Sequence, residues 1–418
     1  MEYRLTAREY WDTEALDRDL KQAFDICNGC RLCHDLCPSF PALFRFVEGV
    51  DDEVEQLTRS QMEDVAEECF QCKICALKCP YTPPHRFDLD FPRLMLRTKA
   101  QRVRRVGLSA EDRLLGNPER SGGWGTALHP LANWAVARPR LRSLLAGRTG
   151  IDPRRHLPPY TSRRFSRRVA GRSTPAAADV VLFATCTTEY NYPALGEAAI
   201  RVLEHQGLSV ATLAGERCCG MPALDGGDVA GAQARARANL AVLAPHVARG
   251  ARVVALQPTC AYVLKREYPL MVDGAVARDV AAAVVDVTEL LAELVQQGKL
   301  ADDFQHVVGP VTYHVSCHTR AEGGGARGRR VLSKIPGTTV TVAEACAGID
   351  GTWGLKARHY DAAQQVAARL MSALAERPDD LPCSDCKLAG LQIEETTGRP
   401  PSHPVEVLAR AYGLMESS

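Results

Sequence analysis

The sequence predicts an α+β multidomain chain: an α-helical N-terminal domain, a basic connecting segment, and a C-terminal half built from a duplicated α/β unit. Three observations predict it. Two runs with one cysteine spacing begin at Cys27 and Cys69, next to segments with helical periodicity. The stretch from 96 to 175 is rich in Pro, Gly, Ser and Arg. From Ala178 onward, short apolar runs alternate with helical patterns, and the order occurs twice. The expected boundaries are 1–95, 96–175, 176–300 and 301–418.

The 418 residues allow two or three domains. A formal net charge of +1 favours no class of partner. The charge is unevenly spread: 51–68 is acidic, and 138–172 holds eleven Arg against the single Asp152. The N-terminus is charged from the outset, so no secretory signal is expected. No apolar run reaches the roughly eighteen residues of a membrane-spanning helix. A cytoplasmic location follows, and there sixteen cysteines are metal ligands or redox thiols rather than structural disulfides.

The first run reads Cys27-x2-Cys30-x2-Cys33-x3-Cys37-Pro38, and the second Cys69-x2-Cys72-x2-Cys75-x3-Cys79-Pro80. This is the spacing of bacterial two-cluster ferredoxins. Three thiolates of each run curl around one face of an Fe4S4 cube. The fourth sits too far along the chain to close that cube and reaches the neighbouring one, and the proline turns the chain away. One [4Fe-4S] cluster is therefore assigned to Cys27, Cys30, Cys33 and Cys79, and the other to Cys69, Cys72, Cys75 and Cys37. Zinc fits two such runs poorly. His34, inside the first loop, reads as a solvent-side or hydrogen-bonding residue rather than a ligand. The segment "DDEVEQLTRSQMEDVAEECF" reads as one amphipathic helix entering the second run, which points to an α-helical ferredoxin.

The connecting segment begins with a basic helix, "FPRLMLRTKAQRVRR", and continues with helical pieces among Pro and Gly. Its arginines suit an anionic lipid, an acidic partner subunit, or simply a solvated face. Aromatic residues are few and no docking motif is present, so nucleic acid is not an expected partner.

In the second half "DVVLFATC" is a strand ending at Cys186, "LSVATL" a strand before Cys218 and Cys219, and "ARVVALQPTC" a strand running into Cys260. Helical patterns over "YPALGEAAIRVLEHQG" and "DVAGAQARARANLAVLAPHVARG" separate them. The order recurs with "GPVTYHVSC" ending at Cys317, the helix "RRVLSKIPG", a strand running into Cys346, the helix "ARHYDAAQQVAARLMSALAE", and "LPCSDC" with Cys383 and Cys386. Cys186 to Cys218 spans 32 residues and Cys317 to Cys346 spans 29; Cys218 to Cys260 spans 42 and Cys346 to Cys386 spans 40. These positions fall at the carboxyl ends of strands, where open parallel sheets place their sites. Gly220 and Gly348 follow their cysteines and permit tight turns. His314 and His318 flank Cys317 as hydrogen-bond partners of that loop, and Asp350 and Lys356 in the glycine turn read as a tuning pair or a structural cap.

The turns "ERCCGMP", "CHTR", "CAGIDGTWGLK" and "SDCKLAGLQIEETTG" resemble the CCG cysteine-rich domain family. That family includes a subunit of heterodisulfide reductase and the iron–sulfur subunits of glycolate, lactate and anaerobic glycerol-3-phosphate dehydrogenases, the last being most similar in build. The resemblance implies an electron conduit with no catalytic residue of its own. It would run from an FAD-containing dehydrogenase subunit toward a quinone or membrane subunit, at the inner face of the cytoplasmic membrane. It implies metal ligands Cys186, Cys218, Cys219 and Cys260 in the first repeat, and Cys317, Cys346, Cys386 and Cys383 in the second. Val263, Ala347 and Ala389 stand where the full pattern has cysteine, with Cys383 as a substitute. The thinned sets argue against disulfide cleavage and leave open a further iron–sulfur cluster or zinc. Competing readings are a thiol/disulfide oxidoreductase of the heterodisulfide reductase kind and a ferredoxin fused to a zinc-bearing docking domain. The G-x-G-x-x-G spacing of Gly323 to Gly328 is separated by "HTRAE" from the strand that ends at Cys317, so it lacks the strand–turn–helix context of a flavin or nicotinamide fingerprint.

Overall fold

The architecture, seen in a computed structural model that describes residues 1–172, 175, 177–325, 327–349 and 351–415, follows from how each segment buries its apolar face. Residue 176, at an expected boundary, and Asp350 lie outside the described residues. The Asp12 carboxylate accepts the amides of Glu14 and Ala15 and starts the helix Thr13–Cys30. That helix ends where Arg31 turns left-handed (φ 51°), so the first cysteine run begins inside a helix. Ser39–Glu48 follows the Cys37-Pro38 pair. The expected single helix before the second run is instead a 3-10 turn, Val54–Gln56, and a helix, Arg59–Glu67. A reciprocal cap between Thr58 and Gln61 fixes the break. The described residues before 180 form helices and turns and no strand, as an α-helical ferredoxin requires. Their core gathers Leu20, Phe24, Phe40, Leu43, Val65 and Leu94.

Among the described residues, seven strands form two wholly parallel sheets. β1 (Val180–Phe183), β2 (Val210–Thr212), β3 (Arg252–Ala255) and β4 (Val284–Asp286) lie in the order β2-β1-β3-β4. β5 (Val311–His314), β6 (Val340–Ala343) and β7 (Leu381–Ser384) lie in the order β6-β5-β7. The shared order, with the first strand of each unit in the middle, is the duplication expressed in topology; β4 has no counterpart among the described strands. Parallel strands are buried on both faces, and their alternation sorts side chains between two cores. Val180, Leu182, Val254, Val311 and Tyr313 enter a core common to both repeats, closed by the helices Pro193–His205, Val287–Gln296 and Pro404–Ala411. Val181, Phe183, Val253 and Ala255 face the opposite side, where Leu96 and Ala100 of the helix Phe91–Val106 also pack.

That helix is not the solvated basic face its composition suggests. Arg97 is wholly buried and donates to the carbonyls of Tyr10 and Glu9 and to Asp19. Lys99 is buried and reaches Asp225 at 2.8 Å and the Cys69 carbonyl at 3.0 Å. Burial opposes the Lys99 charge most strongly, and Asp225, Glu67 and Cys69 together outweigh it, so the ammonium is held protonated. The pair ties the helical domain to the first repeat. Removing one member of a buried ion pair leaves an uncompensated charge. Lys99→Met is expected to cost about 3 kcal/mol of stability, read as a lower urea midpoint, and Asp225→Asn, which keeps a hydrogen-bonding side chain, to cost less.

Candidate metal centres

Cys27, Cys30, Cys33 and Cys79 line one cavity with Leu32, Phe40, Phe44 and Leu89. Burial pushes the Cys27 thiol up, and the thiols of Cys33, Cys79 and Cys30 add to it. Cys33 is pushed up to about 11, by burial first and then by Cys79 and Cys30. The backbone amide of Tyr81 donates to Cys79 Sγ at 3.4 Å. The group lies near the surface: Cys30 is exposed and Leu32 is 60% exposed.

Cys69, Cys72 and Cys75 are buried. Burial raises the Cys75 thiol, with Cys72, Cys69 and Cys37 adding to it, and Cys37 in turn is raised by burial and by Cys69. Cys79 has thus crossed to the first run, and Cys37 to the second. The second loop is shaped by two non-glycine residues at positive φ, Gln71 (60°) and Lys73 (65°), a conformation that survives only where side chains hold it. Gln71 Nε2 donates to Cys69 Sγ at 3.3 Å and to the Pro92 carbonyl at 3.0 Å. Lys73 Nζ donates to Gln71 Oε1 at 2.9 Å and faces Glu267 at 3.6 Å. Burial works most strongly against the Lys73 charge, and Glu267, Tyr262 and Asp90 together outweigh it.

Four more cysteines meet at the carboxyl ends of β1, β2 and β3. Cys186 is raised by its hydrogen bond with Cys218, and then by burial; Cys218 is lowered by bonds from Cys186 and Cys219, and Cys219 is raised by Cys218 and Cys260. Residues that sequence reasoning missed hold this group. Glu119, from the connecting segment, accepts the Cys218 amide at 2.9 Å and pairs with Arg235 at 3.0 Å. The Glu216 carboxyl accepts the amides of Ala184 and Thr185, and burial pushes it up to about 8. The "ER" before "CCG" carries a visible signal for Glu216; nothing local marks Glu119.

In the second repeat Cys317, Cys346 and Cys386 line one cavity at the ends of β5, β6 and β7. Cys317 Sγ lies 4.0 Å from Cys346 Sγ, and the Gly348 amide donates to Cys346 at 3.3 Å. Cys383 is the exception to the expected set. It pairs in register with Tyr313, and strand alternation points its side chain into the core shared by the repeats, at 0% exposure. Asp385, between the two cysteines, instead anchors the turn: it accepts from the Ser316 amide at 3.1 Å, Tyr313 Oη at 2.8 Å and Thr319 Oγ1 at 2.8 Å. Gly348 (φ 66°) has its turn forced by packing, because a Cβ there would strike the Ala363 carbonyl. On its other side Gly348 lines the cavity with Cys317, Cys346 and Cys386.

His34, His314 and His318 each make a hydrogen bond. His34 is exposed and bonds Asp35 at 2.8 Å. His314 is fixed between Ser384 Oγ and the Ala345 carbonyl, at 2.9 and 3.1 Å. His318 Nδ1 meets Thr259 Oγ1 at 3.1 Å, which joins the two repeats next to Cys260 and Cys317. Lys356 pairs with Asp112 at 2.6 Å.

The groups form a succession. Cys37 and Cys72 share an apolar cluster with Cys317 and Cys346, sealed by Phe70 against Trp353 at 4.9 Å between centroids. The same four cysteines border a cavity of about 610 Å³. Among the described residues, no group of three or more His, Cys, Asp or Glu side chains converges on one metal ion. The donor chemistry fits iron–sulfur clusters: soft thiols, apolar walls, and N–H donors aimed at sulfur.

Residues 20–105 match the citrate utilization protein B Fer4-like domain, and 180–265 and 311–392 match the cysteine-rich CCG domain. The chain is 31% identical over 392 residues to a subunit of the anaerobic glycerol-3-phosphate dehydrogenase of Escherichia coli, covering 82% of this chain and 98% of that one. It is 31% identical over 186 residues to lactate utilization protein A of Geobacillus kaustophilus, covering 42% of this chain and 74% of the relative. It is 34% identical over 224 residues to a subunit of the dihydromethanophenazine:CoB–CoM heterodisulfide reductase of Methanosarcina mazei, covering 50% and 53%.

Asp286, at the end of β4, is pushed up to about 7 by burial and then by Asp385. The native state therefore holds a proton that the unfolded chain releases near 3.8, and the cost of ionising Asp286 grows with pH until it is complete above about 7. Asp286→Asn keeps the helix cap and removes that cost. It is expected to raise the urea midpoint relative to wild type at pH 8, with a gap that narrows as pH falls to about 5.

Proposed function

The chain belongs to the family of the anaerobic glycerol-3-phosphate dehydrogenase iron–sulfur subunit, and from that membership we propose that it accepts electrons from an FAD-containing dehydrogenase subunit and delivers them toward quinone. The donor would be of the glycerol-3-phosphate, glycolate or lactate type, and the chain a cytoplasmic protein peripheral to the inner face of the membrane. Among the described residues no helix is long and apolar enough to cross a membrane. One observation carries the reading: Cys79 lies with Cys27, Cys30 and Cys33, while Cys37 lies with Cys69, Cys72 and Cys75. That crossing is the ligand exchange of a two-cluster ferredoxin.

We assign one [4Fe-4S] cluster to each of these sets. A further iron–sulfur cluster belongs to the CCG repeats, with Cys186, Cys218, Cys219 and Cys260 as the complete set and Cys317, Cys346 and Cys386 as the thinned one. Bound clusters supply one-electron transfer. The residues of the chain do the rest. Phe70, Trp353 and Ile74 place an apolar wall beside the second thiol group. Gln71 and the amides of Tyr81 and Gly348 donate to sulfur, which favours the more negative, reduced state. Lys73 and Lys99 place positive charge beside Cys69 with the same effect. With Cys383 turned into the core, the second repeat keeps three thiols at its site, which supports conduction over disulfide cleavage.

Iron and sulfide analysis with EPR on the anaerobically purified chain tests this. Two cubanes account for about eight irons, and the CCG cluster for more. Cys79→Ala and Cys37→Ala are each expected to remove about four irons and to abolish different EPR signals. Loss of the same signal in both variants would contradict the crossed assignment. The wild-type chain alone is expected to show no turnover, and to be reduced when its flavoprotein partner is given substrate.

A further inference from the structure

We propose that the outward face of three consecutive helices, Pro118–Ala127, His129–Val136 and Pro139–Thr149, is a docking surface for an anionic lipid bilayer. The inference rests on the electron-transfer reading for its purpose and on the surface itself for its content.

An apolar stripe at helical spacing normally faces the core. Here it faces outward. Trp124, Leu128, Leu131 and Trp134 recur at intervals of three and four, and are 64%, 51%, 67% and 55% exposed. Leu144 on the third helix is 80% exposed, and Leu145 beside it 39%. His129–Val136 and Pro139–Thr149 fully bury no residue; Val136 and Leu141 are half-buried, and Leu131, Trp134, Leu144 and Leu145 face outward. On the first helix the buried face is Gly122, Gly125 and Thr126, with Trp124 opposite. Exposed leucines scattered singly need no explanation, but these six large apolar residues, two of them tryptophans, are gathered between 124 and 145.

The charge selects the occupant. Between His129 and Thr149 the sequence has no Asp or Glu and four arginines; Arg142 turns inward to the carbonyls of Asp152 and Arg155, which leaves Arg138, Arg140 and Arg148 for the outward face. The Arg138 guanidinium lies 5.6 Å above the Trp134 ring. Tryptophan and leucine beside arginine, without carboxylates, is the chemistry of a helix lying in the headgroup layer: aromatic rings settle at the boundary, and arginines meet lipid phosphates. A chain without a membrane-crossing helix among its described residues would meet the bilayer in this way, lying on it rather than spanning it.

The test is co-sedimentation of the anaerobically purified full chain with vesicles of phosphatidylcholine alone, and with vesicles that also contain phosphatidylglycerol. Binding is expected to the anionic vesicles, to weaken with salt, and to be accompanied by a blue shift of tryptophan fluorescence. The surface variant Trp124→Ser/Leu131→Ser/Trp134→Ser is expected to bind at least about tenfold more weakly. Arg138→Glu/Arg140→Glu/Arg148→Glu is expected to lose the preference for phosphatidylglycerol. Iron content and EPR signals of both variants should match wild type, which separates a failure here from a failure of the electron-transfer reading. Absence of wild-type binding to anionic vesicles would overturn the proposal. So would an apolar variant that binds like wild type; if that variant also failed to accept electrons from the flavoprotein subunit, the face would be a protein interface instead.

Discussion

Burying the second cysteine loop, residues 69–75, against the C-terminal half is the constraint on which the other parts depend. Its aromatic residue, Phe70, packs on Trp353 of the second repeat, while Lys73 faces Glu267 of the first. The lysine is buried, and an unpaired ammonium there would cost several kcal/mol. Glu267 therefore has to be in place, and Arg93 at 3.3 Å shares it. Lys99 and Asp225 repeat the device a short way along the same interface. Such pairs add little net stability, but they penalise every other docking of the two halves. Electron transfer demands fixed spacing between centres, and this interface is built to have one arrangement.

The duplication answers a different need. A parallel sheet collects loops at its carboxyl edge, and two such sheets joined through one core present two edges to each other. Thr259 and His318 make that contact beside Cys260 and Cys317. The repeats have since diverged in how they hold their turns. The first uses Glu216 on the strand-end amides, and the second uses Asp385 on Ser316, Tyr313 and Thr319. The two carboxylates come from different strands, so the similarity is one of function rather than of position.

Much of this was legible in the sequence because it is local. The C-x-x-C spacing, the apolar strand runs before Cys186 and Cys317, and the matching intervals of the two copies all sit within short windows. That Cys79 lies beside the first run and Cys37 beside the second was legible too, since reach along the chain favours it. What escaped was long-range. The direction of Cys383 depends on its register with Tyr313, which no window contains. β4 and β7 are runs of three and four residues whose strand character comes from their parallel neighbours. The basic helix Phe91–Val106 was misleading because composition cannot say that Arg97 and Lys99 find internal partners. Glu119 was invisible for the same reason: its partners, Cys218 and Arg235, lie about a hundred residues on.

The unequal exposure of the two N-terminal thiol groups bears on how the molecule meets oxidants. The second group lies beneath Phe70, Trp353 and the second repeat, whereas the first opens at Cys30 and Leu32. Access to the two from solution then differs. The outer site is met at the surface, whereas the inner one is approached through the cavity that Cys37, Cys72, Cys317 and Cys346 border. A small oxidant would strike the outer site first.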